Sequence, residues 1–218
     1  MTTPANTDVY ALLRKRMVDS QLRARGIGDE RVLGAMERVP RHEFAPARYR
    51  DQAYEDHPLP IGEGQTISQP YIVASMLEAL ALSSRDKVLE VGTGSGYLTA
   101  LLAEVTEDVV SLERHTSLAA AAGGLLNDMG YQNVRVITGD GSRGFPESAP
   151  YDAIIVSAAA PELPHELVRQ LADGGRMIIP VGRGDTQQLQ LIAKRDGQLR
   201  TSLRELCRFV PLISENRS

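Results

Sequence analysis

Three glycines at alternate positions, Gly92, Gly94 and Gly96, follow an apolar run in "VLEVGTGSGYLTALLA". Glycine in such a place lets the chain turn sharply and brings backbone N–H groups close to a ligand. Glu90 stands just before the loop. Tyr97 occupies the position where the GxGxxG fingerprint of nicotinamide sites needs a small residue, so the spacing departs from that fingerprint. No GKS or GKT follows the glycines, which disfavours a phosphate-cradling P-loop. Glu113 closes the next apolar run, "VVSLE", about twenty residues on, where a carboxylate can accept both hydroxyls of a ribose. Asp140, with the adjoining Gly141, closes a third run in "ITGDG". Each acid alone reads equally well as a solvated residue at a strand end. Three coincident features at one expected sheet edge favour an adenosine pocket.

These residues need elements to hold them. "KVLEVG", "VVSLE", "VRVITGD", "YDAIIVSAA" and "GRMIIPVG" are short apolar runs rich in β-branched residues, with helical stretches between most of them. That alternation predicts an α/β fold with a doubly wound, mostly parallel sheet covered on both faces. The end of the chain differs. "QLQLIAKRDGQL" alternates and turns at Asp196-Gly197, a hairpin signal, and "LCRFVPL" reads as a last strand, so antiparallel pairing is expected near the C-terminus. Before the core, helical spacing runs from Asp8 to about Arg25. Gly26 and Gly28 stop it, and Asp29 caps a second helix, "DERVLGAMERV". Pro46, Pro58 and Pro60 mark an irregular stretch that reaches "IGEGQTISQP", and "PYIVASMLEALAL" then reads as a helix with Pro in its first turn. The expected organisation is a single domain over 1–218. An N-terminal helical extension and substrate-side segment covers 1–80, and the cofactor-binding α/β core covers 81–218.

The totals limit the functions available. The 218 residues are 42% hydrophobic and 24% charged, enough for one large α/β domain with its own core. A net charge of -4 lacks the broad cationic surface of a general nucleic-acid binder, and the short "RKR" at Arg14 to Arg16 reads as a solvated helix face. The single Cys207 excludes an intramolecular disulfide framework. His42, His57, His115 and His165 show no metal-ligand spacing, so no metal is expected. No apolar run approaches the roughly twenty residues of a membrane helix, and the polar N-terminus has no signal core, so the expectation is a cytoplasmic monomer bound to neither membrane nor nucleic acid.

"VLEVGTGSGYLTALLA", Gly139-Asp140 and "LADGGRMIIPVG" resemble the successive motifs of Rossmann-like S-adenosylmethionine methyltransferases. "YEDHPLPIGEGQTISQPYIVASMLEAL", "PYDAIIVSAAAPELPHELVRQLADGGRMIIPVG" and the terminal "RFVPL" resemble the protein-L-isoaspartate O-methyltransferase family, and the likeness runs from about Met17 to Leu212. Three features depart from the family pattern: Ser157 where Thr is frequent, Gly123-Gly124 inside a helix, and Cys207 before the terminal Arg-Phe-Val. The glycine pair softens that helix by about 1 kcal/mol per Gly relative to Ala.

The resemblance implies methyl transfer from S-adenosyl-L-methionine, with S-adenosyl-L-homocysteine as product. The acceptor would be the α-carboxylate of L-isoaspartyl residues in damaged proteins and peptides. The ester then closes to a succinimide, which begins repair. It also assigns Ser68 to the active site. Physically, Ser68 lies at a helix start, where free N–H groups and the positive dipole end favour a carboxylate, and it reads at least equally well as an N-cap. Gln65 and Thr66 are weaker candidates for the groove, with loop polarity as the plain alternative. Gln188 is as well explained as an ordinary strand residue. Glu90, Gly92, Gly94, Gly96, Glu113, Asp140 and Gly141 are the expected cofactor set. Rival readings are a methyltransferase for RNA or a small molecule, and a domain that keeps the fold without activity.

Overall fold

The structure is a computed structural model that describes residues 4–214. The chain opens with helix α1 (Pro4–Met17), which runs on as a π-helical turn, Val18–Leu22, and a 3-10 turn, Arg23–Arg25. The left-handed Gly26 (φ 95°) stops this run, as expected from the sequence. Helix α2 (Glu30–Arg38) starts at Asp29, whose side chain accepts a hydrogen bond from Arg31 N at 2.9 Å. Two 3-10 turns follow, Arg41–Phe44 and Ala47–Gln52.

The next segment departs from expectation. "IGEGQTISQP" forms an antiparallel hairpin, β1 (Leu59–Gly62) and β2 (Gln65–Ile67), rather than an irregular loop. Glu63 and Gly64 both have positive φ (52° and 69°), the backbone of a type I′ turn, whose twist matches that of paired strands. Alternation over so few residues was too short to betray a strand. Helix α3 (Pro70–Leu80) follows, with Pro70 in its first turn.

The core then alternates as expected: β3 (Lys87–Val91), α4 (Tyr97–Val105), β4 (Asp108–Glu113), α5 (Thr116–Asp128), β5 (Val134–Thr138), β6 (Tyr151–Val156), α6 (His165–Gln170) and β7 (Leu171–Val181). A hairpin of β8 (Gln187–Arg195) and β9 (Gln198–Cys207) completes it, turning at Asp196-Gly197. The seven-stranded sheet has the order β5-β4-β3-β6-β7-β8-β9. Pairs among β3 to β7 are parallel, and β7–β8 and β8–β9 are antiparallel. The last strand is "QLRTSLRELC" rather than "LCRFVPL". Residues beyond Cys207 instead cross the end of β6, where Ala159 N donates to Val210 O at 2.7 Å and Leu212 N donates to Ala159 O at 2.8 Å.

Alternate residues of each strand feed separate cores, which is what a period of two requires when both faces are covered. Val88, Val109, Ala153, Ile155 and Ile178 pack with helices α2, α3 and α4. Leu89, Val110, Ile154, Val156 and Met177 pack on the opposite face with Leu167 of α6. Helix α5 runs unbroken through Gly123 and Gly124. Among the described residues, no helix is long and apolar enough to cross a membrane.

Candidate active site

A cavity of about 530 Å³ opens at the carboxyl ends of β3 and β4, within the size range of small-ligand pockets. Its wall is the glycine loop. The loop must leave β3 and fold back beneath a ligand, and Gly92, Gly94 and Gly96 all take positive φ (97°, 55° and 87°) to do so. Gly94 N donates to Glu113 Oε2 at 2.9 Å, and His115 N donates to Glu113 Oε1 at 2.9 Å. Glu113 is 5% exposed and lines the cavity. Each of its oxygens has one lone pair committed to the backbone and retains acceptor capacity, which suits two hydroxyl donors such as those of a ribose. Gly141 also lines the cavity. A Cβ there would stand 2.5 Å from Val91 Cγ1, so only glycine permits this close approach.

Glu90 lies elsewhere than a cofactor contact would require. It has no exposed surface and is absent from the cavity lining. Its Oε2 accepts from Thr99 Oγ1 and from Ser111 Oγ, both at 2.6 Å, and Ser111 in turn contacts Thr93 of the loop at 2.5 Å. Glu90 therefore ties α4, β4 and the glycine loop together from below. Burial pushes its carboxyl up to about 8, against the lowering effect of the two hydroxyl donors. Asp140 likewise stands beside the cavity rather than in its lining. Its Oδ1 accepts from Ser142 N and Ser142 Oγ, at 2.9 and 2.7 Å, which caps the 3-10 turn Gly141–Arg143. Gly96 is the left-handed residue that starts α4 and packs against Ala122, outside the lining. Gln188 is also outside it. Its amide donates to Arg204 O at 2.5 Å across the β8–β9 bulge.

The other wall comes from the N-terminal segment. Gln65, Thr66 and Ser68 all line the cavity. Ser68 is half-buried, and its side chain does not cap α3. That work falls to Asp56, twelve residues upstream of Ser68 in the chain: Oδ1 accepts from Tyr71 N at 3.3 Å and Oδ2 accepts from Gln69 Nε2 at 2.8 Å. Spacing could not disclose a cap from so far away. Gln69 is the N-cap residue of α3, so Ser68 lies one residue outside the helix, and its hydroxyl has no hydrogen-bonding partner among the described residues. The hairpin turn also reaches over the cofactor side. Glu63 accepts from Ser117 Oγ at 2.7 Å and lies 3.7 Å from His115 Nδ1, while Ile61 stands over Gly94.

Several lining residues escaped the sequence reading, among them Ser95, Leu112, Arg114, Ser157 and the stretch from Arg208 to Ile213. For the last, the apolar "RFVPL" was visible, but only the tertiary path across β6 turns it towards the cavity.

This sheet, with a glycine loop and a ribose-competent carboxylate at the carboxyl edge, defines the Rossmann-like methyltransferase class. Comparison with known proteins narrows the class. Residues 13–217 match the family described as protein-L-isoaspartate(D-aspartate) O-methyltransferase (PCMT), and the chain belongs to that family. It is 57% identical over 204 residues to protein-L-isoaspartate O-methyltransferase of Koribacter versatilis, covering 94% of this chain and 92% of that one. It is 55% identical over 203 residues to the protein of the same name from Methanoculleus marisnigri, at 93% and 92% coverage. Among solved structures, it matches a Plasmodium falciparum protein, described as a putative protein-L-isoaspartate O-methyltransferase in complex with S-adenosyl-L-homocysteine. The TM-score is 0.80 at 30% identity, covering 92% of this chain and 98% of that one. A further protein-L-isoaspartate O-methyltransferase structure gives a TM-score of 0.83 at 31% identity. There the match covers 92% of this chain and 66% of a longer partner.

Proposed function

We propose that this chain methylates the α-carboxylate of L-isoaspartyl residues in damaged proteins and peptides, using S-adenosyl-L-methionine. The observation that carries the reading is the cavity itself, which presents the Glu113 carboxylate and the glycine loop on one side and the uncommitted Ser68 hydroxyl on the other. When bound, S-adenosyl-L-methionine supplies a methyl group on a sulfonium, and its transfer to a carboxylate oxygen leaves S-adenosyl-L-homocysteine.

The chain's own residues have a limited task. A carboxylate, with a pKa near 4, is already ionised at neutral pH, so no general base is needed. Glu113 holds the ribose hydroxyls, and Gly92, Gly94 and Gly141 let the backbone lie against the cofactor. Glu90 ties that wall together from beneath the loop, and Asp140 caps the turn that places Gly141 against it. The Ser68 hydroxyl donates to the substrate carboxylate and fixes its approach, beside the N-terminus of α3, whose dipole favours the anion. Gln65 and Thr66 border the same groove. The hairpin and the stretch from Phe209 to Leu212 exclude water from the reacting atoms.

The same reading takes 1–218 as a single domain, monomeric and cytoplasmic, with no nucleic-acid or membrane partner. The net charge of -4 supports the nucleic-acid part of it. The test is transfer of label from radiolabelled S-adenosyl-L-methionine to matched aspartyl and isoaspartyl peptides. Base-labile label in the isoaspartyl peptide alone is expected, and label in neither contradicts the proposal.

A further inference from the structure

Arg41 is absent from the cavity lining, yet its side chain is completely buried. Nε donates to Ala53 O at 2.7 Å, and Nη2 donates to Ser68 O at 2.9 Å. The guanidinium carbon lies 4.8 Å from the centre of the Tyr97 ring, and Tyr97 is among the residues that line the cavity. Tyr97 is held in turn by an edge-on contact with Phe44, their ring centres 5.7 Å apart. Among the described residues, Nη1 and the Tyr97 hydroxyl make no hydrogen bond of good geometry, although the guanidinium and the hydroxyl interact with each other at longer range. Among the described residues, no carboxylate is in ion-pair contact with Arg41, and Asp56 acts on it only from a distance.

This is a costly arrangement. A buried cation normally needs a counter-ion, and an apolar side chain of similar volume would fill the same space at lower cost. Packing alone therefore gives no reason for an arginine. The partners it does have supply one. The guanidinium grips two backbone carbonyls, one in the turn before the hairpin and the other in Ser68 itself. Through Nη2 it fixes the orientation of the Ser68 peptide, and hence the direction from which the hydroxyl enters the cavity. Its positive charge is also uncompensated at short range and lies behind the wall formed by Ser68 and Tyr97.

We infer that Arg41 is a positioning residue for methyl transfer. It sets the Ser68 peptide from behind and places a buried positive charge next to the pocket for the substrate carboxylate. The inference rests on the assignment of Ser68 to the substrate, so the experiment separates the two.

Arg41→Lys keeps the charge and loses the two-carbonyl grip, whereas Arg41→Met loses both. Each is made in the native chain and in Ser68→Ala. Steady-state kinetics use an isoaspartyl peptide, and calorimetry reads S-adenosyl-L-homocysteine affinity. In the native background, the peptide kcat/KM falls by about tenfold or more for Arg41→Met and by less for Arg41→Lys, with affinity for S-adenosyl-L-homocysteine unchanged within about threefold. In the Ser68→Ala background, the further loss from Arg41→Lys shrinks to about twofold or less, because both residues act through one group. Equal fold-losses in the two backgrounds overturn the inference and leave the Ser68 assignment intact. Native kinetics in Ser68→Ala overturn that assignment itself. Parallel loss of peptide turnover and S-adenosyl-L-homocysteine binding in Arg41→Lys, or its failure to fold, makes Arg41 a structural residue and also overturns the inference.

Discussion

Replacing Glu90 by Gln should change how stability depends on pH. In the folded chain, burial holds the Glu90 carboxyl at about 8, against 4.5 for an unperturbed glutamate. Below pH 4.5 both the folded and unfolded states keep the proton, and the stabilising contribution is complete. Between pH 4.5 and 8 the unfolded chain ionises while the folded chain does not, so stability falls by about 1.4 kcal/mol per pH unit. By pH 7.5 the accumulated loss is about 4 kcal/mol, a large part of the 5–15 kcal/mol typical of a folded domain. Glutamine cannot ionise, and its amide oxygen can still accept from Thr99 and Ser111. Urea unfolding of both proteins at pH 5, 6, 7 and 8 reads the difference directly, since all other titrating groups are shared. Glu90→Gln should gain on the native protein steadily across that range. A difference that stays flat would refute a buried neutral acid beneath the glycine loop.

Three other substitutions probe the site. Ser68→Ala should lower turnover of an isoaspartyl peptide while leaving S-adenosyl-L-homocysteine affinity little changed in calorimetry. Glu113→Ala removes the acceptor for Gly94 N and His115 N as well as for ribose, so S-adenosyl-L-methionine affinity should fall by about tenfold or more. Gly141→Ala forces a methyl group to within 2.5 Å of Val91 Cγ1 and should cost about 1–3 kcal/mol, read as a lower Tm.

The parallel core was legible because its strands are continuous apolar runs and the loop after β3 carries the glycines that its left-handed turns require. Asp29 and the Asp196-Gly197 turn were legible for the same reason: each acts within a few residues of itself. What the sequence concealed acts across the fold. Asp56 reaches the first turn of α3 from far upstream, and the helix starts one residue later than expected, with Gln69 rather than Ser68 at the cap position. Glu90 and Asp140 have the residue types and spacing of ligand contacts, but spacing cannot say which side of a loop a carboxylate faces. Burial places Glu90 below the loop, and Asp140 Oδ1 caps the turn that carries Gly141. The hairpin at Glu63-Gly64 was hidden by the shortness of its strands. Arg41 carried no local signal, because its partners Ala53, Ser68 and Tyr97 meet only in the folded chain.

The central claim is that this cavity aligns an isoaspartyl carboxylate with the methyl group of S-adenosyl-L-methionine. Its most direct test is label transfer to two peptides identical except for an aspartyl or isoaspartyl linkage, followed by mild base to release the ester. The account predicts base-labile label in the isoaspartyl peptide, none in the aspartyl peptide, and strong loss of that label with Ser68→Ala. Equal labelling of both peptides, or label that resists base, would contradict it.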